Sequence, residues 1–206
     1  MNERQVFLAG GACRLEGLYA PQEGSKGVVV THPHSLMGGT MHNNVVAAVA
    51  ETFYQKGFAT LRFNFRGVGR SEGDFDNGNG EGQDVQSALA FLREQGASAV
   101  VLAGYSFGAW VGSRLFPGYD ECDDFIMISP PVDFLQFDFS GVKGRCGLII
   151  CGDSDQFCPR GKLQVVADEL DCRLEIIPSA DHFYLGREHE LCTRLAAFLD
   201  DRTHAT

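Results

Sequence analysis

The stretch Gly104-Tyr105-Ser106-Phe107-Gly108 has the spacing G-x-S-x-G. A serine with glycine two positions away on each side suits a sharp turn from strand to helix. Such a turn lifts the hydroxyl above the sheet edge. The glycines matter because a Cβ at either place would clash across so tight a bend. The flanks agree. Ala99-Val100-Val101-Leu102-Ala103 reads as a buried strand, and Ala109-Trp110-Val111 opens a helix. The bland alternative is a glycine-rich turn with an idle serine. A serine so placed attacks an acyl carbon if a base takes its proton and a carboxylate orients the base.

In strand-turn-helix sites of this kind the chain order is Ser, then Asp or Glu, then His. Downstream of Ser106 stand His182, His189 and His204. His204 falls in the tail, and His189 begins the last helix, where a solvated face is the default. His182 follows the last strand in Pro178-Ser179-Ala180-Asp181-His182-Phe183-Tyr184, a loop able to swing over the sheet edge. A structural loop histidine is the competing reading. For the acid, Gly152-Asp153-Ser154-Asp155 follows an apolar run. A turn at Gly152 points Asp155 back across the strand end and leaves Asp153 to bind loop amides. Asp133, after the preceding strand, is the rival position. Asp181 adjoins His182 and reads as a loop cap.

A developing oxyanion needs two N–H donors. The Phe107 amide, at the start of the helix after the serine, supplies one. The other is expected from the loop after residues 27–31. Pro33 has no N–H, so His34 is the first candidate and Ser35 the second. His32, His34 and His42 invite a metal reading. Two histidines flanking a proline, with no carboxylate nearby, make a poor ligand set, and none is assigned.

These groups need a scaffold, and the hydropathy pattern supplies one. Residues 5–9 and 14–19 read as an antiparallel hairpin around Gly10-Gly11. Residues 27–31 (GVVVT) are a strand buried on both faces. Asn43 or Asn44 caps a helix that ends at residue 55, before Gly57. Further strands are read at 59–63, 98–103, 125–129, 148–151 and 173–177. Further helices are read at 83–95, 109–116 (closed by Pro117), 161–170 and 190–199. Residues 74–82 read as a polar loop, mobile because of its glycines. Alternation of strand and helix predicts a mostly parallel sheet covered on both faces.

With 206 residues the chain fits one domain, spanning 1–206, with a core large enough to need no staple. Its 17 basic and 27 acidic residues give a net charge of −10, unfavourable for nucleic acid or anionic membrane. The seven cysteines include no CxxC pair, and Cys146, Cys151 and Cys158 follow no zinc spacing. Free thiols, no spanning apolar run and no signal-peptide core predict a cytoplasmic protein.

Taken together, the stretches HPHSLMGGTMHNNVV, LRFNFRGVGRSEGDFDNGNGE, AGYSFGAW, GDSDQFCP and ADHFYLG resemble the α/β-hydrolase superfamily. The resemblance is strongest to its small bacterial serine hydrolases without a lid domain. It runs in order from about residue 31 to residue 186 and so covers most of the chain. It puts the nucleophile on Ser106, the acid on Asp155 and the base on His182, the same residues the spacing selects. Gln156-Phe157-Cys158 departs from the usual pattern of an acidic residue followed by valines. The implied fold is α/β, with an antiparallel N-terminal hairpin on a mostly parallel sheet. The implied chemistry is cleavage of a small ester or thioester through an acyl-enzyme, with a small-molecule acyl substrate and no cofactor. A catalytically idle scaffold that binds a ligand or protein is the alternative. Amide or carbon–carbon cleavage is a third reading, and peptidases of this fold usually carry an extra domain. Arg66 either holds a substrate carboxylate or pairs with a buried acid such as Asp84. Trp110 reads as core. Phe134, Phe137 and Phe139 either line an apolar wall or cover the sheet. The short segment 130–147 predicts an open, shallow site for short acyl groups.

Overall fold

The computed structural model describes residues 1–203 except Ala12 and Pro117; His204 and the proposed helix stop at Pro117 fall outside the described residues. Two strands, β1 (Arg4–Gly10) and β2 (Cys13–Ala20), form the expected hairpin, in register from Arg4 opposite Tyr19 to Gly10 opposite Cys13. Then come β3 (Lys26–Thr31), α1 (Asn44–Gln55), β4 (Ala59–Phe63), α2 (Asn79–Glu94), β5 (Ala99–Tyr105) and α3 (Phe107–Ser113). The chain ends with β6 (Asp124–Ile128), β7 (Cys146–Gly152), α4 (Arg160–Leu170), β8 (Arg173–Ile177) and α5 (Glu188–Thr203). The sheet order is β1-β2-β4-β3-β5-β6-β7-β8. The hairpin joins β4 antiparallel, and every pair from β4 to β8 is parallel.

Strand side chains alternate between two cores because successive Cβ atoms point to opposite faces. Val28, Val30, Val101, Ile126 and Ile150 meet α1 and α5 on one face. Val29, Leu102, Met127 and Ile149 meet α2, α3 and α4 on the other. The middles of β3, β5, β6 and β7 are therefore apolar on both faces. The Asn43 side chain accepts from the amides of Val45 and Val46 and so caps α1.

Several sequence-based boundaries shift: α5 runs Glu188–Thr203 against the expected 190–199, β7 runs Cys146–Gly152 against 148–151, and the starts of α2 and α3 move as well. Residues 79–82 are the first turn of α2, not loop. Glu81 reaches back to the amides of Asp76 and Gly78 at 2.9 and 2.7 Å, and Asp76 accepts from Gly80 at 3.0 Å. These charged caps satisfy the helix end that the glycines weaken. Helix α3 starts at Phe107 and ends at Ser113, against the expected 109–116, because the chain turns directly from β5 through Ser106. Among the described residues, the β6–β7 connection holds turns only, with no lid inserted.

Candidate active site

Parallel strands all end at one edge, so the loops after β3, β5, β6, β7 and β8 converge there. Ser106 sits between β5 and α3 at φ +54°, ψ −115°, a strained conformation for a residue with a Cβ. The turn closes because its glycines lack side chains. A Cβ on Gly104 would come within 2.6 Å of Ala109 Cα, and one on Gly108 within 2.3 Å of Thr31 Oγ1. Ser129, Ser179 and Tyr184 also hold positive φ near the ends of β6 and β8, so backbone strain gathers at this edge.

His182 Nε2 lies 2.9 Å from Ser106 Oγ, and His182 Nδ1 lies 2.8 Å from Asp155 Oδ2. Asp155 accepts only, so Nδ1 carries the proton and Nε2 offers its lone pair to the serine. The imidazole is wedged between Phe157 and Phe183, at ring separations of 4.9 and 5.6 Å. The Tyr105 hydroxyl donates to the His182 carbonyl at 2.8 Å, and Asp181 accepts from the amides of Phe183 and Tyr184. Asp181 is thus the loop cap the sequence predicts.

Asp155 is 5% exposed. Burial alone would raise its pKa. The hydrogen bond and charge of His182, the Ser129 hydroxyl and the Phe157 amide together hold it below the usual carboxylate range. The rival acids are placed elsewhere. Asp153 accepts from Ser179 N at 2.7 Å, and Asp133 forms a surface ion pair with Lys162.

The loop after β3 reaches the same edge. The His34 ring packs 4.7 Å from the Phe107 ring and 5.0 Å from Phe75. His34 and Phe107 both line the cavity beside Ser106, and Ser35 does not. His32 anchors the loop. Its Nδ1 lies 2.6 Å from the Pro33 carbonyl, and its Nε2 accepts from Phe65 N at 3.0 Å. Asn64 holds Met41 N from the β4 side. With both ring nitrogens of His32 occupied and His42 exposed, the three histidines do not converge as ligands.

The cavity has a volume of about 380 Å³, within the range of roughly 300–1,000 Å³ typical of ligand pockets. Its walls are largely apolar, with Met37, Pro131, Phe134, Leu135, Phe157 and Phe183 from four different loops. Arg66 lies outside these walls. It forms a forked pair with the buried Asp84 at 2.8–3.2 Å, the non-catalytic reading of that residue. Trp110 is half-buried and donates to the Gln136 carbonyl at 2.8 Å. Of the three phenylalanines, Phe134 lines the cavity and Phe137 and Phe139 do not.

Residues 25–140 match the family model for serine aminopeptidase, S33 (Hydrolase_4), more than half of the chain. The chain belongs to this hydrolase family. Solved structures extend the match over nearly all its length. A protein of unknown function from Agrobacterium tumefaciens is 36% identical, with 98% of this chain and 97% of that one covered, at a TM-score of 0.89. An α/β serine hydrolase homologue from Coxiella burnetii is 31% identical, covering 96% and 97%, at 0.86. A Xanthomonas campestris member of the α/β serine hydrolases without a lid is 30% identical, covering 98% and 95%, also at 0.86. The protein is accordingly a small α/β hydrolase of the lidless kind, and family and fold support hydrolase activity.

Sequence reasoning missed several groups that shape this hydrolase site. Cys151 Sγ lies 3.5 Å from Asp155 Oδ2, and Cys158 completes a buried cluster whose ligand atoms lie within 4.8 Å of one another. Burial pushes the Cys158 thiol far above its ordinary pKa, so it packs as a neutral group. The Tyr184 and Ser129 hydroxyls bond at 2.8 Å behind the acid. No sequence spacing marks this set, since its members come from β7 and from the three loops after β6, β7 and β8. The sequence signal available was the departure at Gln156-Phe157-Cys158, which puts an aromatic ring on His182 and a thiol beside Asp155.

Proposed function

We propose that the protein is a serine hydrolase of the carboxylesterase or thioesterase type, acting on a small-molecule ester or thioester. The observation that carries this reading is the hydrogen-bonded chain from Ser106 through His182 to Asp155 at the wall of an apolar cavity. Ser106 Oγ attacks the acyl carbon while His182 Nε2 takes its proton. Asp155 stabilises the imidazolium so formed and keeps Nδ1 protonated. The Phe107 and His34 amides receive the oxyanion. His182 then protonates the departing alcohol or thiol, leaving an acyl-enzyme on Ser106. Water, activated by the same base, releases the acid. The chemistry needs no cofactor. The largely apolar cavity favours a neutral acyl group, and the net charge of −10 disfavours nucleic acid and anionic membrane as partners. The described residues include no helix long and apolar enough to cross a membrane. Seven free thiols fit a reducing, cytoplasmic setting.

The test is turnover of p-nitrophenyl acetate and butyrate beside an aminoacyl p-nitroanilide. Ester cleavage that disappears in Ser106→Ala is expected. Anilide cleavage without ester cleavage would replace the ester reading with a peptidase one. Inertness toward all three would favour the idle scaffold.

A further inference from the structure

A second apolar depression adjoins the cavity beside Ser106. It is a groove of about 430 Å³ between the β6–β7 connection and α4, walled mainly by Val132, Leu135, Phe137, Phe139, Val165 and Val166, with Gln136 and Lys162 also in its lining. Leu135 lines both, so the groove adjoins the cavity at that side chain. Phe137 and Phe139 stack at 5.3 Å, with 22° between their planes, and form one flat side. Val165 faces outward from α4 with 65% of its surface exposed, and Phe134, at the junction, is 67% exposed. Core packing accounts for neither residue, and exposed apolar side chains beside two adjoining depressions point to a binding region.

We propose that this groove is an acyl-chain subsite, and that the preferred substrate carries an unbranched apolar acyl chain longer than butyryl. The proposal rests on Ser106 as nucleophile and His182 as base. His182 protonates the leaving group, which therefore departs on the side flanked by Phe157 and Phe183. Of the other walls, the one along Pro131, Phe134 and Leu135 borders the groove, and the acyl arm follows it there. The lining is mostly apolar, and its charged side chain, Lys162, is already paired with Asp133, so a simple hydrocarbon is the chemistry that fits. This departs from the short-acyl expectation drawn from the segment 130–147, which took no account of a groove beside α4. An open groove covers only one side of a chain, about a twofold gain per methylene, so octanoate should exceed butyrate roughly tenfold in kcat/KM.

The experiment compares p-nitrophenyl acetate, butyrate and octanoate on the wild type, Val165→Glu and Gln164→Glu. Val165→Glu puts a charge into the groove. Gln164→Glu puts the same charge on the same helix outside the groove wall. The octanoate-to-acetate ratio of kcat/KM should fall about tenfold in Val165→Glu and stay within twofold of wild type in Gln164→Glu. Octanoate no better than butyrate, or equal ratios in both variants, would overturn the subsite while leaving the hydrolase reading intact. A binding measurement covers failure of that reading. Dansylaminoundecanoic acid is titrated into Ser106→Ala with and without Val165→Glu. A dissociation constant at least fivefold weaker with the added glutamate supports the groove even if no ester is cleaved, and equal constants refute it.

Discussion

Lowering the pH from 7 to 5 should cost the fold roughly 2 kcal/mol through one side chain, His32. The ring is 0% exposed, with Nδ1 against the Pro33 carbonyl and Nε2 accepting from Phe65 N–H. A carbonyl only accepts and an amide only donates, so both partners are satisfied by the neutral ring alone. A second proton would sit on Nε2 and face the Phe65 N–H. Burial dominates the resulting shift and holds the pKa down to about 4, from 6.5 in an exposed histidine. The Pro33 bond opposes that shift, and His34 adds to it. A depressed folded-state pKa means that the unfolded chain takes up its proton first. The stability is fully present above about pH 6.5 and is lost as the pH falls toward about 4. Each unit inside that window costs about 1.4 kcal/mol, for roughly 3 kcal/mol in all. Urea unfolding followed by circular dichroism at pH 7, 6 and 5 measures the slope. His32→Gln can still donate to Pro33 and accept from Phe65, but does not titrate. Its stability should fall about 2 kcal/mol less than the wild type's over the same range. Parallel pH profiles for the two proteins would show that His32 does not carry the acid sensitivity. The consequence reaches the site, because Pro33 precedes the His34 amide proposed to receive the oxyanion.

Three further perturbations separate chemistry from scaffold. Asp155→Asn should lower kcat by about 10³–10⁴ with little change in KM, because Nδ1 then loses the acceptor that fixes its proton; steady-state ester kinetics check this. Gly108→Ala should destabilise by about 1–3 kcal/mol, since its Cβ would come within 2.3 Å of Thr31 Oγ1; thermal unfolding against wild type measures it. Asp84→Asn strands the Arg66 guanidinium and should cost about 3–5 kcal/mol. Its activity per folded molecule should remain near wild type, and a large loss in kcat at full folding would return Arg66 to the substrate.

The sheet and the three proposed catalytic residues were legible because both leave local signals. Strands buried on two faces read as continuous β-branched runs, as in Gly27-Val28-Val29-Val30-Thr31. Ser106 is announced by its glycines, and Asp155 and His182 by following their strands in order. The start of α2 was not legible, because Gly78, Gly80 and Gly82 signal a loop while the caps that overrule them come from Asp76 and Glu81. The cavity walls were only partly legible. Phe134, Phe137 and Phe139 share a segment and look equivalent, yet loop geometry sends the first to the Ser106 cavity and the other two to the groove. The thiols around Asp155 were read as ordinary buried cysteines, because nothing local says that Cys151 and Cys158 flank the acid. In each case the missing information lies in loop paths, which depend on contacts between segments distant in sequence.

The central claim is that Ser106 is a nucleophile activated by His182. A fluorophosphonate probe incubated with the native protein, followed by intact-mass and peptide mass spectrometry, tests it most directly. One adduct per chain is expected, on the peptide carrying Ser106, lost in Ser106→Ala and strongly slowed in His182→Ala. No adduct on the folded protein, or equal labelling of Ser106→Ala, would contradict it.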